Sequence, residues 1–161
     1  MSKKKFTHID SSGNPAMVDV SEKKITKRTA KAQARVNVGG EIIALIQGNE
    51  LITKKGPVFQ TAIIAGVMSA KNTSSIIPFC HPLGLEDCQI KIHVSGNSII
   101  IDSMATITAK TGVEMEALTA VTVAALTVYD MCKALSHDII IEEVKLMSKS
   151  GGKRDFKRKL V

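Results

Sequence analysis

The residues best suited to acid–base chemistry lie at the end of a long apolar segment. Asp130 and Lys133 are three positions apart, so in a helix they face the same side, one turn apart. A carboxylate and a lysine at that distance change each other's proton affinity, which suits proton-transfer catalysis. The same spacing is also typical of an exposed ion pair that contributes about 0.2–0.5 kcal/mol to helix stability.

A loop bounded by prolines presents a second candidate group. Cys80 and His81 lie between Pro78 and Pro82, and the two proline rings restrict the backbone on both sides. Such a loop suits a side chain that must point in one direction, although a purely structural histidine fits the pattern equally well. The other histidines have no acidic or cysteine partner at ligand spacing, so we expect no metal site.

Charged residues also stand at the starts of two predicted helices. Lys54 and Lys55 come just before one of them, where free backbone amides and the helix dipole favour a phosphate. Two solvated loop lysines are the simpler alternative. Glu114 and Glu116 open the long apolar helix, where acidic residues are stabilised by the dipole. Two carboxylates around Met115 also suit recognition of a guanine-like edge or acid–base chemistry.

The long helix separates two of these groups. Glu116 and Asp130 are 14 residues apart, about four turns, which places them on one face but ~21 Å apart along the axis. One small substrate is not expected to contact both side chains of the same chain. If both belong to one site, two subunits must build it.

The elements that position these residues follow from hydrophobic periodicity. Alternating apolar residues predict half-buried strands, and apolar residues at helical spacing predict amphipathic helices. The predicted strands are 30–38, 88–94, 99–107 and 139–147, and the predicted helices are 41–47, about 57–73 and about 113–135. Merging the two adjacent helices into one layer gives βαββαβ, an α+β ferredoxin-like sandwich with an antiparallel sheet and helices on one face.

Length and charge indicate one domain with two basic ends. The 161 residues fit a single domain over 1–161. The net charge is +7, and the segments at about 1–6 and 153–161 account for the whole excess. We therefore expect flexible basic tails around a neutral body.

Composition argues against several partners and leaves two other function classes open. Aromatic residues make up 3% of the chain, too few for base stacking, so we expect no nucleic acid. Apolar runs are short and no signal peptide is recognisable, so we expect no membrane. Three cysteines without Cys-x-x-Cys spacing fit a reduced, cytoplasmic protein. An RNA-binding ferredoxin-like domain with basic tails and a purely structural oligomer remain as alternatives.

Five motifs occur in an order that resembles a known family. They are MVDVS at 17–21, IPFCHP at 77–82, TGVEMEALT at 111–119, LTVYDMCKA at 126–134 and KSGG at 149–152. Each motif is weak by itself, but five in order are specific. Together they closely resemble the MoaC family of molybdenum-cofactor biosynthesis, over about residues 7–156.

The resemblance implies a reaction and an assembly. The reaction converts (8S)-3′,8-cyclo-7,8-dihydroguanosine 5′-triphosphate, supplied by a radical-SAM GTP cyclase, into cyclic pyranopterin monophosphate. Pyrophosphate leaves, so the enzyme is a phosphorus–oxygen lyase acting early in molybdopterin biosynthesis. The family's ferredoxin-like chains form a homohexamer, a trimer of dimers with active sites at subunit interfaces. The sequence requires no cofactor, although Mg²⁺ suits a triphosphate substrate.

The resemblance also assigns roles to individual residues. It implies that Asp130 is the catalytic acid or base and that Lys133 and Lys55 are its catalytic partners. The implied substrate-binding residues are Phe79, Cys80, His81, Met115, Glu116 and Glu114, with the basic residues Arg28 and Lys149 at the phosphates. Ring opening and closure need several proton transfers, and expulsion of pyrophosphate needs positive charge at the bent triphosphate.

Two positions depart from the family pattern. Ala109 stands where the family commonly has glycine, so we expect its backbone to have no positive φ. The segment from Lys149 to Phe156 is one residue shorter than usual before the Asp-Phe pair. The placement of the C-terminal tail over the site, and any role for Lys153, is therefore open.

Overall fold

The computed structural model describes residues 12–159, which form a five-stranded sheet with helices packed against it and a separate two-stranded sheet. The elements in chain order are β1 (Thr26–Asn37), α1 (Gly39–Ile43), β2 (Ile52–Thr53), β3 (Gly56–Pro57), α2 (Val58–Lys71), α3 (Thr73–Ile76), β4 (Asp87–Ser95), β5 (Ser98–Ala109), α4 (Glu114–Cys132), β6 (Ile140–Ser150) and β7 (Phe156–Lys157). The two-residue strands β2 and β3 pair separately as a small hairpin.

The main sheet is antiparallel, in the order β4-β5-β1-β6-β7. β1 is its central strand and pairs with β5 on one side and β6 on the other. A turn at Gly96-Asn97 joins β4 to β5. α2 and α4 pack against each other and cover one face of the sheet. The predicted α+β ferredoxin-like architecture is confirmed.

Small side chains let α4 approach the middle of the sheet. The predicted alternation of β1 buries Ala30, Ala32, Ala34 and Val36. The facing residues of α4 are also short or β-branched, and the buried ones include Ala117, Ala120, Val121, Ala124, Ala125 and Val128. Short side chains on both surfaces bring the helix backbone close to the strands, and close packing of this kind is sensitive to a single added methyl group.

α4 is long and apolar enough to cross a membrane by length and composition alone. However, 56% of its apolar stretch is buried inside the fold, where it lies against β1, β5, β6 and α2. The core helix of a globular domain satisfies the same criterion, so the hydropathy of α4 is explained by its central position.

All four predicted strands are longer than hydrophobic periodicity indicated, and β1 and β6 extend furthest beyond a predicted end. β1 begins at Thr26 rather than Ala30, and β6 continues to Ser150 rather than ending at Met147. The added residues are polar, but the strands still pair there, with Ala30 opposite Lys149. Backbone hydrogen bonds therefore extend the ladder beyond the apolar pattern, and they place Lys149 on a strand instead of in a linker.

The observed ends of other elements also differ from the predicted ones. α1 is Gly39–Ile43 instead of 41–47, and α4 ends at Cys132 rather than near residue 135. In the C-terminal segment, β7 pairs with β6, so part of the expected tail lies along the sheet. The flexibility of the rest of that tail stays a prediction, and the N-terminal tail at 1–6 lies outside the described residues.

Gly66 lies where α2 and α4 meet, and we predict that Gly66→Ala destabilises the protein. A Cβ there would be 2.3 Å from Ile90 Cδ1 and 2.9 Å from the Ala120 carbonyl oxygen. Alanine gains ~1 kcal/mol of helix propensity, but overpacking costs ~1–3 kcal/mol. Because one clash is with backbone, we expect a net loss of about 1–2 kcal/mol in the free energy of unfolding.

The midpoint of urea unfolding, measured at one protein concentration, tests this prediction. Gly84→Ala is the matched control, because a Cβ at Gly84 meets nothing within 4 Å and should leave the midpoint unchanged or slightly raised. An unchanged midpoint in Gly66→Ala would show that the two helices are not in close contact.

Candidate active site

Three charged side chains meet at the C-terminal end of α4. Lys55 Nζ donates to Asp130 Oδ2 at 2.7 Å and to the Asp130 carbonyl at 3.0 Å. Lys133 Nζ lies 2.7 Å from Asp130 Oδ1. About half of each side chain remains exposed to solvent. The structure thus brings together the three residues predicted to be catalytic, as an ion triplet defined by Lys55, Asp130 and Lys133.

Lys55 reaches this triplet from the tip of the β2–β3 hairpin. Thr53 Oγ1 accepts a hydrogen bond from the Lys55 amide at 3.2 Å and donates to the Gly56 carbonyl at 3.3 Å. Gly56 has a φ of +110°, a conformation that side chains other than glycine rarely adopt. The tight turn therefore fixes the base of the lysine, and its long side chain spans the remaining distance to α4.

The start of α2 does not offer the phosphate site that the sequence suggested. The Glu50 carboxylate accepts hydrogen bonds from the amides of Phe59 at 2.8 Å and Gln60 at 3.1 Å. These are the free amides that would otherwise attract an anion, and Glu50 occupies them. Lys55 acts with Asp130 instead, while Lys54 makes no ion pair with any described residue.

The two ammonium groups determine the charge state of Asp130. Hydrogen bonds from Lys133 and Lys55 lower the pKa of Asp130 to about 2. In return, the hydrogen bond to Asp130 raises the pKa of Lys133. At neutral pH the triplet is therefore a carboxylate between ammonium groups, in which Asp130 is a weak base and Lys133 holds its proton firmly.

A cleft of about 970 Å³ opens at the other end of α4. The start of α4, the loop before β4, the first residues of β1 and the end of β6 form its walls. All eight predicted substrate-binding residues line it: Arg28, Phe79, Cys80, His81, Glu114, Met115, Glu116 and Lys149. The volume matches that of small-molecule sites, so the structure gathers these residues into one concave surface.

Charges inside the cleft are partly balanced within the protein. Lys149 Nζ lies 2.7 Å from Glu114 Oε1. Arg28 donates from Nε to the Ala109 carbonyl at 3.3 Å and from Nη2 to the Lys110 carbonyl at 3.2 Å. Among the described residues only glycines have positive φ, which confirms the expectation for Ala109. Its ordinary backbone geometry presents a carbonyl to the guanidinium.

Glu116 is the buried acid of the cleft. The residue is 4% exposed, and burial, with a smaller contribution from Glu114, raises its pKa. Burial, and secondly the charge of Glu116, also raises the pKa of the Cys80 thiol. Cys80 therefore stays a neutral thiol at neutral pH and is not an activated nucleophile.

The cleft also contains residues that sequence reasoning did not single out. They are Val18, Val20, Lys23 and Lys24 of the N-terminal lead-in, which precedes β1, and Lys153 and Arg154 of the C-terminal segment. Lys110 Nζ donates to the Ser21 carbonyl at 2.6 Å and holds the lead-in in place. The motif at 17–21 could have pointed to the two valines. The four cations belong to no sequence motif that would have indicated a place in the cleft.

The ion triplet and the cleft do not meet within one chain. They lie at opposite ends of α4, ~21 Å apart along the axis, and the triplet residues do not line the cleft. In the part of the chain that the structure describes, no group of three or more His, Cys, Asp or Glu side chains is arranged to hold a metal ion. A reaction that uses both groups therefore needs a second chain.

Comparisons with known proteins give a consistent result. A model of the MoaC family matches residues 17–152. The chain is 49% identical over 153 residues to the cyclic pyranopterin monophosphate synthase of Xanthomonas campestris pv. campestris (strain B100), covering 94% of this chain and 93% of the relative. It is 50% identical over 154 residues to the synthase of Xanthomonas oryzae pv. oryzae, with the same coverage.

A longer eukaryotic relative is also similar. The molybdenum cofactor biosynthesis protein 1 of Dictyostelium discoideum is 49% identical over 166 residues, which cover 92% of this chain. The chain spans about a quarter of that protein, 26% of its length.

We predict that the pKa of Asp130 rises when either lysine of the triplet is replaced. NMR titration of the Asp130 carboxyl carbon should give about 2 in the wild type. Lys133→Met and Lys55→Met should each move it towards its ordinary value of 3.8, because each removes one hydrogen-bond donor. A lowered pKa stabilises the fold above the ordinary value, and this contribution is lost as the pH falls through about 2.

Lys54→Met is the matched control for this titration. It removes a positive charge one residue away from Lys55 but no ion pair with Asp130. In Lys54→Met the carboxyl of Asp130 should titrate as in the wild type. An equal rise in Lys54→Met and Lys55→Met would mean that general electrostatics, rather than the triplet, sets the pKa.

Proposed function

The chain belongs to the MoaC family. From that premise we propose that it catalyses the synthesis of cyclic pyranopterin monophosphate, the reaction that gives its Xanthomonas relatives their name. The expected family, the enzyme class and the place early in molybdenum-cofactor biosynthesis are confirmed at the level of the family. The observation that carries the assignment to this chain is the cleft, in which all eight expected binding residues lie together.

The ion triplet is the proposed acid–base centre. Rearrangement of (8S)-3′,8-cyclo-7,8-dihydroguanosine 5′-triphosphate opens and closes rings, and each step moves protons. Because the pKa of Asp130 is about 2, the carboxylate is a poor base in the free protein. Asp130 fixes the direction of the Lys133 and Lys55 ammonium groups, and we expect proton transfer to begin once bound substrate weakens these ion pairs.

The cleft is the proposed binding site for the nucleotide. Glu114 and Glu116 at its inner end suit the amino edge of the purine-derived ring, with Met115 and the loop residues Phe79, Cys80 and His81 beside it. Arg28 and Lys149 lie on the phosphate side. Pyrophosphate leaves as the cyclic phosphate forms, and positive charge at the bent triphosphate stabilises that departure. A divalent ion such as Mg²⁺ would enter with the triphosphate, and the proposal needs no resident cofactor.

The proposed active unit is a pair of chains. The cleft of one protomer and the ion triplet of its partner would face each other, because a single α4 keeps them apart. Association of three such pairs through a second interface gives the homohexamer, a trimer of dimers, that the resemblance implies. We further propose that the protein is cytoplasmic and that a radical-SAM GTP cyclase supplies its substrate.

The direct test is to give purified protein the cyclic dihydro-GTP substrate and to quantify pyranopterin and pyrophosphate. We expect both products in equal amounts from the wild type and none from Lys133→Ala. Size-exclusion chromatography of Lys133→Ala is the accompanying control. An assembled but inactive variant supports an enzyme, whereas loss of assembly with Lys133→Ala supports the purely structural oligomer. A well-folded wild type that forms no product would refute the function.

Mixing two inactive variants tests whether two chains build each site. Asp130→Asn removes the triplet and Lys149→Ala alters the cleft, so each alone should be inactive. After co-assembly, mixed pairs contain one intact cleft facing one intact triplet, and random pairing restores about a quarter of wild-type activity. No recovery from verified mixed assemblies would place the whole site within one chain, as would full activity from a strictly monomeric wild type.

A further inference from the structure

We propose that Lys23, Lys24, Lys153 and Arg154 form a basic rim on the cleft that binds the outer phosphates of the nucleotide triphosphate. The inference rests on the proposed function, and it adds four further cations to Arg28 and Lys149 on the phosphate side. It also gives the C-terminal segment a defined place in the site. The four residues come from the N-terminal lead-in and from the C-terminal turn, and all four line the cleft.

The first argument is that the two cations expected at the phosphates are already engaged. Lys149 pairs with Glu114, and Arg28 donates to two backbone carbonyls. By contrast, none of the four rim cations is paired with a carboxylate within residues 12–159. An anion that reaches the rim meets donors that need not give up an existing partner.

The second argument is the balance of charge in the cleft. The acids that line it are Glu114 and Glu116. Lys149 neutralises Glu114, so Glu116 is the remaining acid of the cleft against Arg28 and the four rim cations. Positive charge is therefore in excess inside the cleft. A concave site with excess positive charge concentrates small polyanions, and the triphosphate is the most anionic part of the proposed substrate.

The third argument is that the C-terminal turn is anchored. Thr26 Oγ1 donates to the Gly151 carbonyl at 2.6 Å, and the Gly151 amide donates to Asp155 Oδ1 at 3.2 Å. Gly151 has a φ of +82°, and a Cβ on it would lie 1.9 Å from the Lys27 carbonyl oxygen. Only glycine fits there. The pairing of β7 with β6 holds the far side of the turn, so Lys153 and Arg154 project from a fixed loop.

Titration calorimetry with inorganic tripolyphosphate tests the rim without turnover. The double variant Lys153→Ala/Arg154→Ala should bind at least about tenfold more weakly than the wild type, because two charge-assisted contacts are lost. The matched control is Lys157→Ala/Lys159→Ala, which removes two cations of the same tail that do not line the cleft. We expect the control to bind within about twofold of the wild type. Orthophosphate should show a smaller loss in the double variant, since it has fewer oxygens to reach the rim.

A second variant tests the role of the turn while the charges stay in place. Gly151→Ala cannot keep the close approach to the Lys27 carbonyl, so it should displace Lys153 and Arg154 and weaken tripolyphosphate binding by a similar factor. Circular dichroism checks that the fold is intact in each variant. Wild-type affinity in a folded Gly151→Ala would overturn the anchored rim.

Three further outcomes would overturn the inference. They are the absence of tripolyphosphate binding by the wild type, equal weakening in the two double variants, and tighter binding of a single-stranded oligonucleotide that both double variants abolish. The last two would mean that the tail attracts phosphates by charge alone. Conversely, a wild type that binds tripolyphosphate through the rim but forms no pyranopterin would refute the proposed function and leave the rim intact.

Discussion

The close packing of α4 on the sheet is the constraint on which the rest of the structure depends. Short side chains on β1 and α4 bury the helix backbone against the central strand, so the helix cannot shift without opening the core. Its two ends carry the two groups with chemistry, the cleft around Glu114–Glu116 and the triplet around Asp130. A helix of 19 residues therefore determines the distance between the cleft and the ion triplet within one chain.

Electrostatic pairing divides the charged residues into two classes. In the triplet and in the Lys149–Glu114 pair, charges satisfy each other and hold the protein's own groups in place. At the basic rim, positive charge has no carboxylate partner among the described residues. The first class positions side chains before substrate arrives, and the second provides attraction for an anion. The net charge of +7 therefore does not reveal which cations are paired within the protein and which have no carboxylate partner among the described residues.

Local patterns predicted the architecture well because strands and helices differ in period. The alternation from Ala30 to Val38 identified the central strand, and the long apolar segment identified α4, each to within a few residues. Errors came at polar ends, where β6 continues to Ser150, because backbone pairing across the sheet extends a strand without any apolar signal. Likewise, the amides at the start of α2 were predicted to be free, but Glu50 from a preceding loop caps them.

The sequence by itself determined the order of elements and the neighbourhood of Asp130 and Lys133, because both follow from spacings of a few residues along the chain. Only the tertiary structure decided that Lys55, 75 residues away, completes the triplet. It also decided that Lys153 and Arg154 line the cleft. Contacts of this kind depend on the summed packing of the whole sheet and on single turns such as Gly151, and neither leaves a periodic trace in the sequence.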